Sequence, residues 1–299
     1  MVRVPPELVT WDGWGQVRNG SCESRGDVRL PRQMEKAKSI RNDKHVHIST
    51  SVDIGIIQRI ERKFFILPRN LGFARTIMNE VCRPDRQFPK GQVNSLYYDT
   101  IDLAQYTRSV DGDLRKHKVR IRWYDKIEDY EGDIPIFVEL KIREGLDSTK
   151  QRKRLFVPRR YLDRESLNNG IIDNLTMTRI LAAFGYFCDR PLRPVVLISY
   201  HRHRFTEVMT GARVSLDYDI RSTLVVRELG YGERDLKLRG GILEIKRPNM
   251  DLPPMIVRRV NLLNTEWSRY SKYGQCLEAH LSHPSAMARL WPSGKVVEV

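Results

Sequence analysis

The residues best equipped for chemistry recur at every second position. In KHKVRIRWYD, Lys116 to Asp125, the cations Lys116, Lys118, Arg120 and Arg122 alternate with His117, Val119, Ile121 and Trp123. The pattern returns with Glu61 and Lys63, Glu139 and Lys141, Arg152 and Arg154, Arg202, Arg213, and Glu244 with Lys246. Such a set suits phosphate, because arginine offers a planar fork and lysine a mobile point charge. The glutamates recur in the triplets ERK, ELK and EIK. They supply the oxygens that Mg²⁺ or Mn²⁺ takes together with substrate phosphates.

A period of two is the signature of a strand, whose successive side chains face opposite ways. The elements that must carry these residues are therefore mostly strands: QRIERKFFIL, QVNSLYYDT, KHKVRIRWYD, IPIFVELKIRE, TKQRKRLFVP, RPVVLISYHRHRFTE, ARVSLDYDIRST and GGILEIKRP. The link GLDS suits a hairpin between the fourth and fifth of them. Helices are predicted for NLGFARTIMNEVCRP (closed by Pro84), RRYLDRESLNNG, NLTMTRILAAFGYF and PPMIVRRVNLLNTEW, a last helix or a turn leading into one for RYSKYGQCLEAHL, and a helical turn for IDLAQYTRSVDG. For one strand, a charged face is ordinary wet surface. Repeated over at least six strands and dominated by Arg and Lys, the pattern weakens that reading; were the sheet closed into a barrel with the charged face inside, interleaved glutamates and a bound polyanion would offset the crowded cations.

The 299 residues suffice for one large domain or two ordinary ones, and 52 basic against 37 acidic residues give a net charge of +15, which favours an anionic partner. Residues 1–52 read as a flexible leader, 53–282 as the ordered domain and 283–299 as a loose tail. The four cysteines, Cys22, Cys82, Cys188 and Cys276, lack zinc spacing and read as reduced thiols. With no signal-peptide run and no apolar stretch of about 20 residues, a cytoplasmic protein is expected. P-loop and Rossmann glycine motifs are missing. Nucleic acid is not the expected partner, since the cations interleave with glutamate on consecutive strands. His201 and His203 fall opposite Arg202 and read as packing or surface residues.

The motifs RIERKF, NSLYYDT, KVRIRWY, FVELKIR with KQRKRL, ISYHRHRF, RVSLD, ILEIK and YSKYG occur in this order. The series resembles VTC domains, the polyphosphate polymerase domains of the vacuolar transporter chaperone complex and their bacterial relatives. These belong with the CYTH proteins among the triphosphate tunnel metalloenzymes. The resemblance runs from about Asp53 to Leu281. It implies an α+β fold, an eight-stranded antiparallel β-barrel tunnel with a basic interior and helices packed outside, with ATP as phosphoryl donor, pyrophosphate or polyphosphate as acceptor, and Mn²⁺ or Mg²⁺. It assigns Arg120, Arg122, Lys63 and Arg202 to catalysis around the triphosphate. Phosphate contacts fall to Lys141, Arg152, Arg154, Arg213, Lys246, and the pair Arg269 and Lys272 near the tunnel mouth. Glu244 matches the metal-binding glutamate; Glu61 is either a second metal ligand or a structural partner of Lys63. The hydrolytic branch usually opens with Glu-x-Glu-x-Lys, and here Arg59 stands at the first glutamate. That departure favours one-metal polymerase chemistry over two-metal triphosphatase chemistry.

The implied activity is transfer of the ATP γ-phosphoryl group to a growing polyphosphate, with product leaving by the far mouth past Lys272. Lys116 and Lys118 are expected to steer anions at the rim. The competing readings are a triphosphatase or polyphosphatase that releases phosphate, and a non-catalytic polyphosphate- or nucleotide-binding module. Export across a membrane would need a separate membrane-protein partner.

Overall fold

The alternation of KHKVRIRWYD becomes a ten-residue strand whose Val119, Ile121 and Trp123 are buried on one side while Arg120 and Arg122 face the other. The structure is a computed structural model describing residues 47–55, 59–126, 131–145, 147–226, 235–248, 253–263, 265, 267, 270–282, 289–290 and 296–297. In chain order the strands are β1 (His47–Gly55), β2 (Arg59–Ile66), β3 (Cys82–Pro84), β4 (Lys90–Asp99), β5 (Arg115–Tyr124) and β6 (Ile134–Glu144). They continue with β7 (Asp147–Val157), β8 (Arg193–Glu207), β9 (Arg213–Leu224), β10 (Asp235–Pro248), β11 (Arg289–Leu290) and β12 (Val296–Val297). The helices are α1 (Leu71–Val81), α2 (Ala104–Val110), α3 (Arg164–Asn168), α4 (Asn174–Ala183), α5 (Met255–Val260) and α6 (Lys272–Ser282). β1 straddles the boundary expected between leader and domain, and β11 and β12 fall in the segment expected as tail.

The strands pair in the order β1-β7-β6-β5-β4-β8-β9-β10, with β2 on the other side of β10 and β3 on β8. All these pairings are antiparallel; β11 joins β10 in parallel through Arg239 and Arg289. From β2 round to β7 this gives the eight strands expected, but not the closed barrel. Among the described residues no ladder joins β2 to β7. The edge of β7 is instead taken by β1, with Asp53 opposite Arg152. The sheet is nevertheless strongly curled. The Glu61 carboxylate of β2 lies 3.5 Å from the Lys141 ammonium of β6, six steps away in the strand order. Part of the bend is made at Gly240 and Gly241, where the register of β10 against β9 shifts. Gly240 has φ +91°, and a Cβ there would stand 2.5 Å from the Ile66 carbonyl. Only glycine allows β10 to pass between β9 and β2 at this point.

The convex face carries most of the helices. α3 and α4 bury Leu167, Met177, Ile180 and Leu181 against Val119, Ile121, Val138 and Leu140 of β5 and β6. On the β2–β10 side, α1 and α5 bury Ala74, Ile77, Met78, Ile256 and Val260 against Phe64, Ile66, Leu243 and Ile245. Each of these Leu, Ile, Val, Met and Phe side chains contributes about 1.5–3 kcal/mol of hydrophobic stabilisation. The expectation that helices pack outside fails for α6. Its stripe Tyr273, Cys276, Leu277 and His280 is buried. It has the i, i+3, i+4, i+7 spacing of an amphipathic helix. This stripe meets Phe65, Tyr97, Ile198 and Ile242, so α6 seats on the concave face with the cations. Elsewhere the predicted helices hold with shifts. RRYLDRESLNNG breaks into a 3₁₀ turn and α3 at Asp163, whose carboxylate caps the Ser166 amide at 2.7 Å. The helix from Pro253 ends early in a 3₁₀ turn at Asn261–Leu263. CRP, expected to close a helix, is β3. No helix of the described residues is long and apolar enough to cross a membrane.

Candidate active site

Two carboxylates organise the concave face. Glu139, on β6, is 1% exposed and stands opposite Arg120 of β5 and Arg152 of β7. Its Oε2 accepts from Arg120 Nε at 2.8 Å and lies 2.8 Å from Arg120 Nη2. Its Oε1 accepts from Lys150 Nζ at 2.6 Å, with Arg152 Nε at 3.2 Å. Burial alone would raise the pKa of this carboxyl, but Arg120, Arg122 and Lys150 hold it well below the usual carboxylate range. Beside it, Arg122 donates to Ser95 Oγ (3.1 Å) and Tyr200 Oη (3.4 Å), and Arg120 donates to Tyr97 Oη (3.0 Å). Arg152 lies over the Phe137 ring at 3.5 Å.

The second centre is Asp217 on β9, fully buried. It receives two bonds from Arg202, at 2.6 and 2.8 Å, and lies 2.5 Å from Lys272 Nζ. Against the raising effect of burial, these two cations hold its pKa down. Glu244 on β10 stands opposite Lys63 of β2 and is also buried. Its cations are more distant: Lys246 at 3.3 Å, Arg202 at 3.5 Å and Lys63 at 3.8 Å. Burial would raise its pKa, yet Lys246, a hydrogen bond with Glu61, Lys63 and Arg202 keep it well below the ordinary value. Lys63 pairs mainly with Glu61, at 2.6 Å. Tyr200 joins the two centres, since it also lies under Arg202 and Lys272, at 5.3 and 4.8 Å from ring centre.

The start of α6 completes the chamber. Lys118 Nζ donates to Ser271 Oγ at 2.7 Å, Lys63 Nζ to the Tyr270 carbonyl at 3.2 Å, and Ser271 Oγ caps the Gly274 amide at 3.2 Å. The helix N-terminus, the positive end of its dipole, thus opens among the cations. Burial, with Lys63, Lys141, Arg120 and Lys116 adding to it, lowers the Lys118 pKa to about 7. Lys150 is lowered to about 8, by burial first, with Glu139 opposing.

Most of the sequence-predicted residues therefore converge: Lys63, Arg120, Arg122, Lys141, Arg152, Arg202, Lys246, Lys272, Glu61 and Glu244. Arg154 and Arg213 do not join them; both are exposed, Arg154 over the Phe156 ring at 4.6 Å. Arg269 lies outside the described residues. Lys118, expected at the rim, is instead in contact with α6 because β5 runs beneath the helix start. Three participants escaped sequence reasoning, Asp217, Tyr97 and Tyr200, and Lys150 is legible there only as part of the alternation with Arg152 and Arg154, without a site role. Lys150 continued the alternation of Arg152 and Arg154, and Asp217 sits four residues from Arg213 on one face of β9, so both had a period-two signal. Tyr200 shares the face of Arg202 by the same period, whereas Tyr97 had no signal that separates it from core aromatics. His203 bonds Tyr218 Oη at 3.0 Å, away from the cations.

Across this face the cations well outnumber the carboxylates Glu61, Glu139, Asp217 and Glu244. A divalent cation fits in company with a ligand's own oxygens. Asp217 and Glu139 are fully engaged, whereas Glu244 has the loosest ion pairs and lies within hydrogen-bonding reach of Glu61. No group of three or more His, Cys, Asp or Glu side chains comes together among the described residues. One or two carboxylates plus phosphate oxygens is the coordination Mg²⁺ and Mn²⁺ accept.

Curled sheet, concave cations and inward helix together define a strand-walled basic chamber. The sequence model of the VTC domain matches residues 58–281, and the chain belongs to that family. No curated protein matches it significantly. Among solved structures it is similar to a candidate adenylate cyclase from Vibrio parahaemolyticus (11% identity, 73% of this chain and 97% of that one, TM-score 0.37). It is also similar to a candidate adenylyl cyclase from Hippeastrum with a dominant triphosphatase activity (14%, 76% and 96%, 0.39). A candidate adenylate cyclase from Bacillus halodurans is a third (12%, 73% and 96%, 0.43).

Proposed function

We propose that the protein is a metal-dependent polyphosphate polymerase, which transfers the γ-phosphoryl group of ATP to a polyphosphate chain. The observation that carries this reading is the convergence of Arg120, Arg122, Lys63, Arg202, Lys272 and Lys118 on one concave surface of a VTC domain. Phosphoryl transfer needs positioning and charge stabilisation more than a protein nucleophile. Arg120 and Arg122, fixed by Glu139, Ser95 and Tyr200, would hold the phosphate oxygens as forks. Lys118, Lys141, Lys150 and Lys246, with fewer or longer contacts, would follow the charge as it shifts from the transferring group to the leaving ADP. Glu244, with Glu61, would hold Mn²⁺ or Mg²⁺, which supplies charge neutralisation at the phosphates. The γ-phosphorus–oxygen bond to ADP breaks as a bond to an oxygen of the acceptor's terminal phosphate forms. We assign this chemistry to residues 53–282.

The test is incubation with ATP, Mn²⁺ and pyrophosphate, with products separated on a gel. A ladder of chains is expected, and is lost in Arg122→Ala. Folded protein that makes no chains would overturn the polymerase assignment. A second reading, a triphosphatase with water as acceptor, gains support from α6, which occupies the concave side where an acceptor chain would otherwise approach. Free phosphate without chains would select it.

A further inference from the structure

The reverse of the β2–β10 wall, away from Lys63 and Glu244, is covered by α1 and α5, which bury Ala74, Ile77, Met78, Ile256 and Val260 against it. The two helices lie side by side, and the Asn70 side-chain amide donates to the Leu263 carbonyl at 3.3 Å, tying the start of α1 to the turn after α5. Beside them Trp267 bridges to Phe64 of β2. What this pair turns outward is not an ordinary polar helix surface. Phe73, Met255, Leu262 and Trp267 are between 41% and 58% exposed. The same elements expose Arg69, in the turn before α1, with Arg75, Arg258 and Arg259. Glu80 is the one acid of α1 and α5. It falls outside the i+3 and i+4 reach of Arg75 at which a helix pairs its charges.

We propose that this face docks on an anionic phospholipid bilayer, with Phe73, Met255, Leu262 and Trp267 among the upper acyl chains and the arginines at the phosphate and carboxylate headgroups. Exposed apolar side chains that are gathered rather than scattered mark an interaction surface. The arginines select its kind. At the centre of a protein–protein interface charge is depleted and the apolar residues run together. Here Arg75 follows Phe73 on α1, and Arg258 and Arg259 stand between Met255 and Leu262, so cations and apolar groups interleave. A bilayer surface accepts that mixture, because acyl chains and charged headgroups are both within reach of helices lying in its plane. Trp267 adds the ring that favours this boundary. The net charge of +15 draws the whole protein to such a surface, and the apolar set decides which face stays there. The proposal does not depend on what the chamber does, since Lys63 and Glu244 lie on the opposite side of β2 and β10.

The test is sedimentation of the whole chain with vesicles of phosphatidylcholine alone and of phosphatidylcholine with phosphatidylserine. Binding is expected to the second and not to the first. The double variant Arg258→Glu, Arg259→Glu should bind at least about tenfold more weakly, since two attractions become repulsions. The double variant Phe73→Ser, Leu262→Ser keeps the charge and should also lose about tenfold, because less apolar area enters the bilayer. All four positions are exposed and outside the chamber, so thermal melts and turnover in solution should match the wild type. Arg154→Glu with Arg213→Glu is the control: it makes the same charge change at exposed positions on other strands, and should cost less than about threefold. Wild-type protein that stays in the supernatant with phosphatidylserine vesicles overturns the proposal. A control that loses as much as Arg258→Glu, Arg259→Glu overturns it too, by making the attraction one of net charge alone. So does Phe73→Ser, Leu262→Ser binding as tightly as the wild type.

Discussion

Arg120 and Glu139 face each other across β5 and β6, and both Nε and Nη2 of the guanidinium reach one carboxylate oxygen at 2.8 Å. The other oxygen is left for Lys150 and Arg152 of β7. One buried carboxylate thus fixes cations from two neighbouring strands while leaving parts of each for a ligand. Glu139→Gln keeps the shape and removes the charge. Taking one partner from a buried ionic group costs about 3–5 kcal/mol, because the remaining charges lose their compensation. Urea melts should show a lower midpoint at unchanged slope. Bound tripolyphosphate should restore part of the loss by supplying the missing negative charge.

Arg122 is held by Ser95 and Tyr200 rather than by a close carboxylate; Glu139 is 3.9 Å away. It is therefore the arginine with most charge to spare for a ligand. Arg122→Ala should reduce turnover by about 100-fold or more, as loss of a preorganised donor does. Arg122→Lys should recover little of it, since a lysine cannot make the fork and also bond Ser95 and Tyr200. Steady-state phosphate release or chain synthesis checks both variants.

Lys118 and Lys150 make pH act in opposite directions on folding and on binding. Their pKa values lie at about 7 and about 8, below the ordinary 10.5, so the unfolded chain binds more protons than the folded one above pH 7. Stability should accordingly rise as pH goes from 7 to about 9. An anion in the chamber favours the ammonium forms. Affinity for tripolyphosphate should fall over the same interval, with proton uptake on binding. Thermal melts give the first trend; calorimetry in buffers of different ionisation enthalpy gives the second. Binding that strengthens with pH would refute the assignment of these lysines to the ligand.

The strand content was legible because charge and hydrophobe alternate through KHKVRIRWYD and IPIFVELKIRE with hardly a break, and such a run has one sensible pleat. Glu139, Lys141, Arg120 and Arg122 followed directly. What escaped is non-local. The period of α6 shows an apolar stripe over Tyr273, Cys276 and Leu277, but a stripe does not say which side of a sheet it covers. Only the match between that stripe and the apolar concave positions Phe65, Ile198 and Ile242 puts it inside. Arg213 had the right alternation yet sits too far along β9, opposite Lys246 and away from Arg202, whose partner is Asp217. Closure failed for a similar reason: the strand that occupies the β7 edge, His47–Gly55, carries no charged alternation to announce it.

Tyr273 tests how α6 is held. Its hydroxyl donates to Asp99 at 2.6 Å, and Asp99 also accepts from the backbone amides of Thr100, Gln105 and Tyr106. Tyr273→Phe leaves those three bonds and the stacking on Tyr97. A hydrogen bond to a charged group is worth about 1.5–3 kcal/mol, and a loss of that size is expected in denaturant melts. Because the same helix start presents Ser271 and Lys272, affinity for tripolyphosphate should fall with it. A stability loss with affinity untouched would show that the start of α6 is held by its ties to Lys63, Lys118 and Asp217 alone.

Glu244 separates metal from phosphate. Its ion pairs, 3.3 to 3.8 Å long, are the loosest of the four chamber carboxylates. In Glu244→Gln the cations Lys63, Lys246 and Arg202 lose a competitor for anionic oxygens, while an oxygen ligand of charge −1 is removed. Metal-free binding of tripolyphosphate should therefore be retained or strengthened. Turnover with Mn²⁺ should fall by about 100-fold or more if the carboxylate holds the ion that neutralises the transferring group. Raising the Mn²⁺ concentration should recover part of the rate, because the remaining ligands, Glu61 and the phosphates, still bind the ion with lower affinity. Weaker metal-free binding in Glu244→Gln would make this glutamate an organiser of Lys63 and Arg202, of the kind Glu139 is for Arg120, rather than a metal ligand.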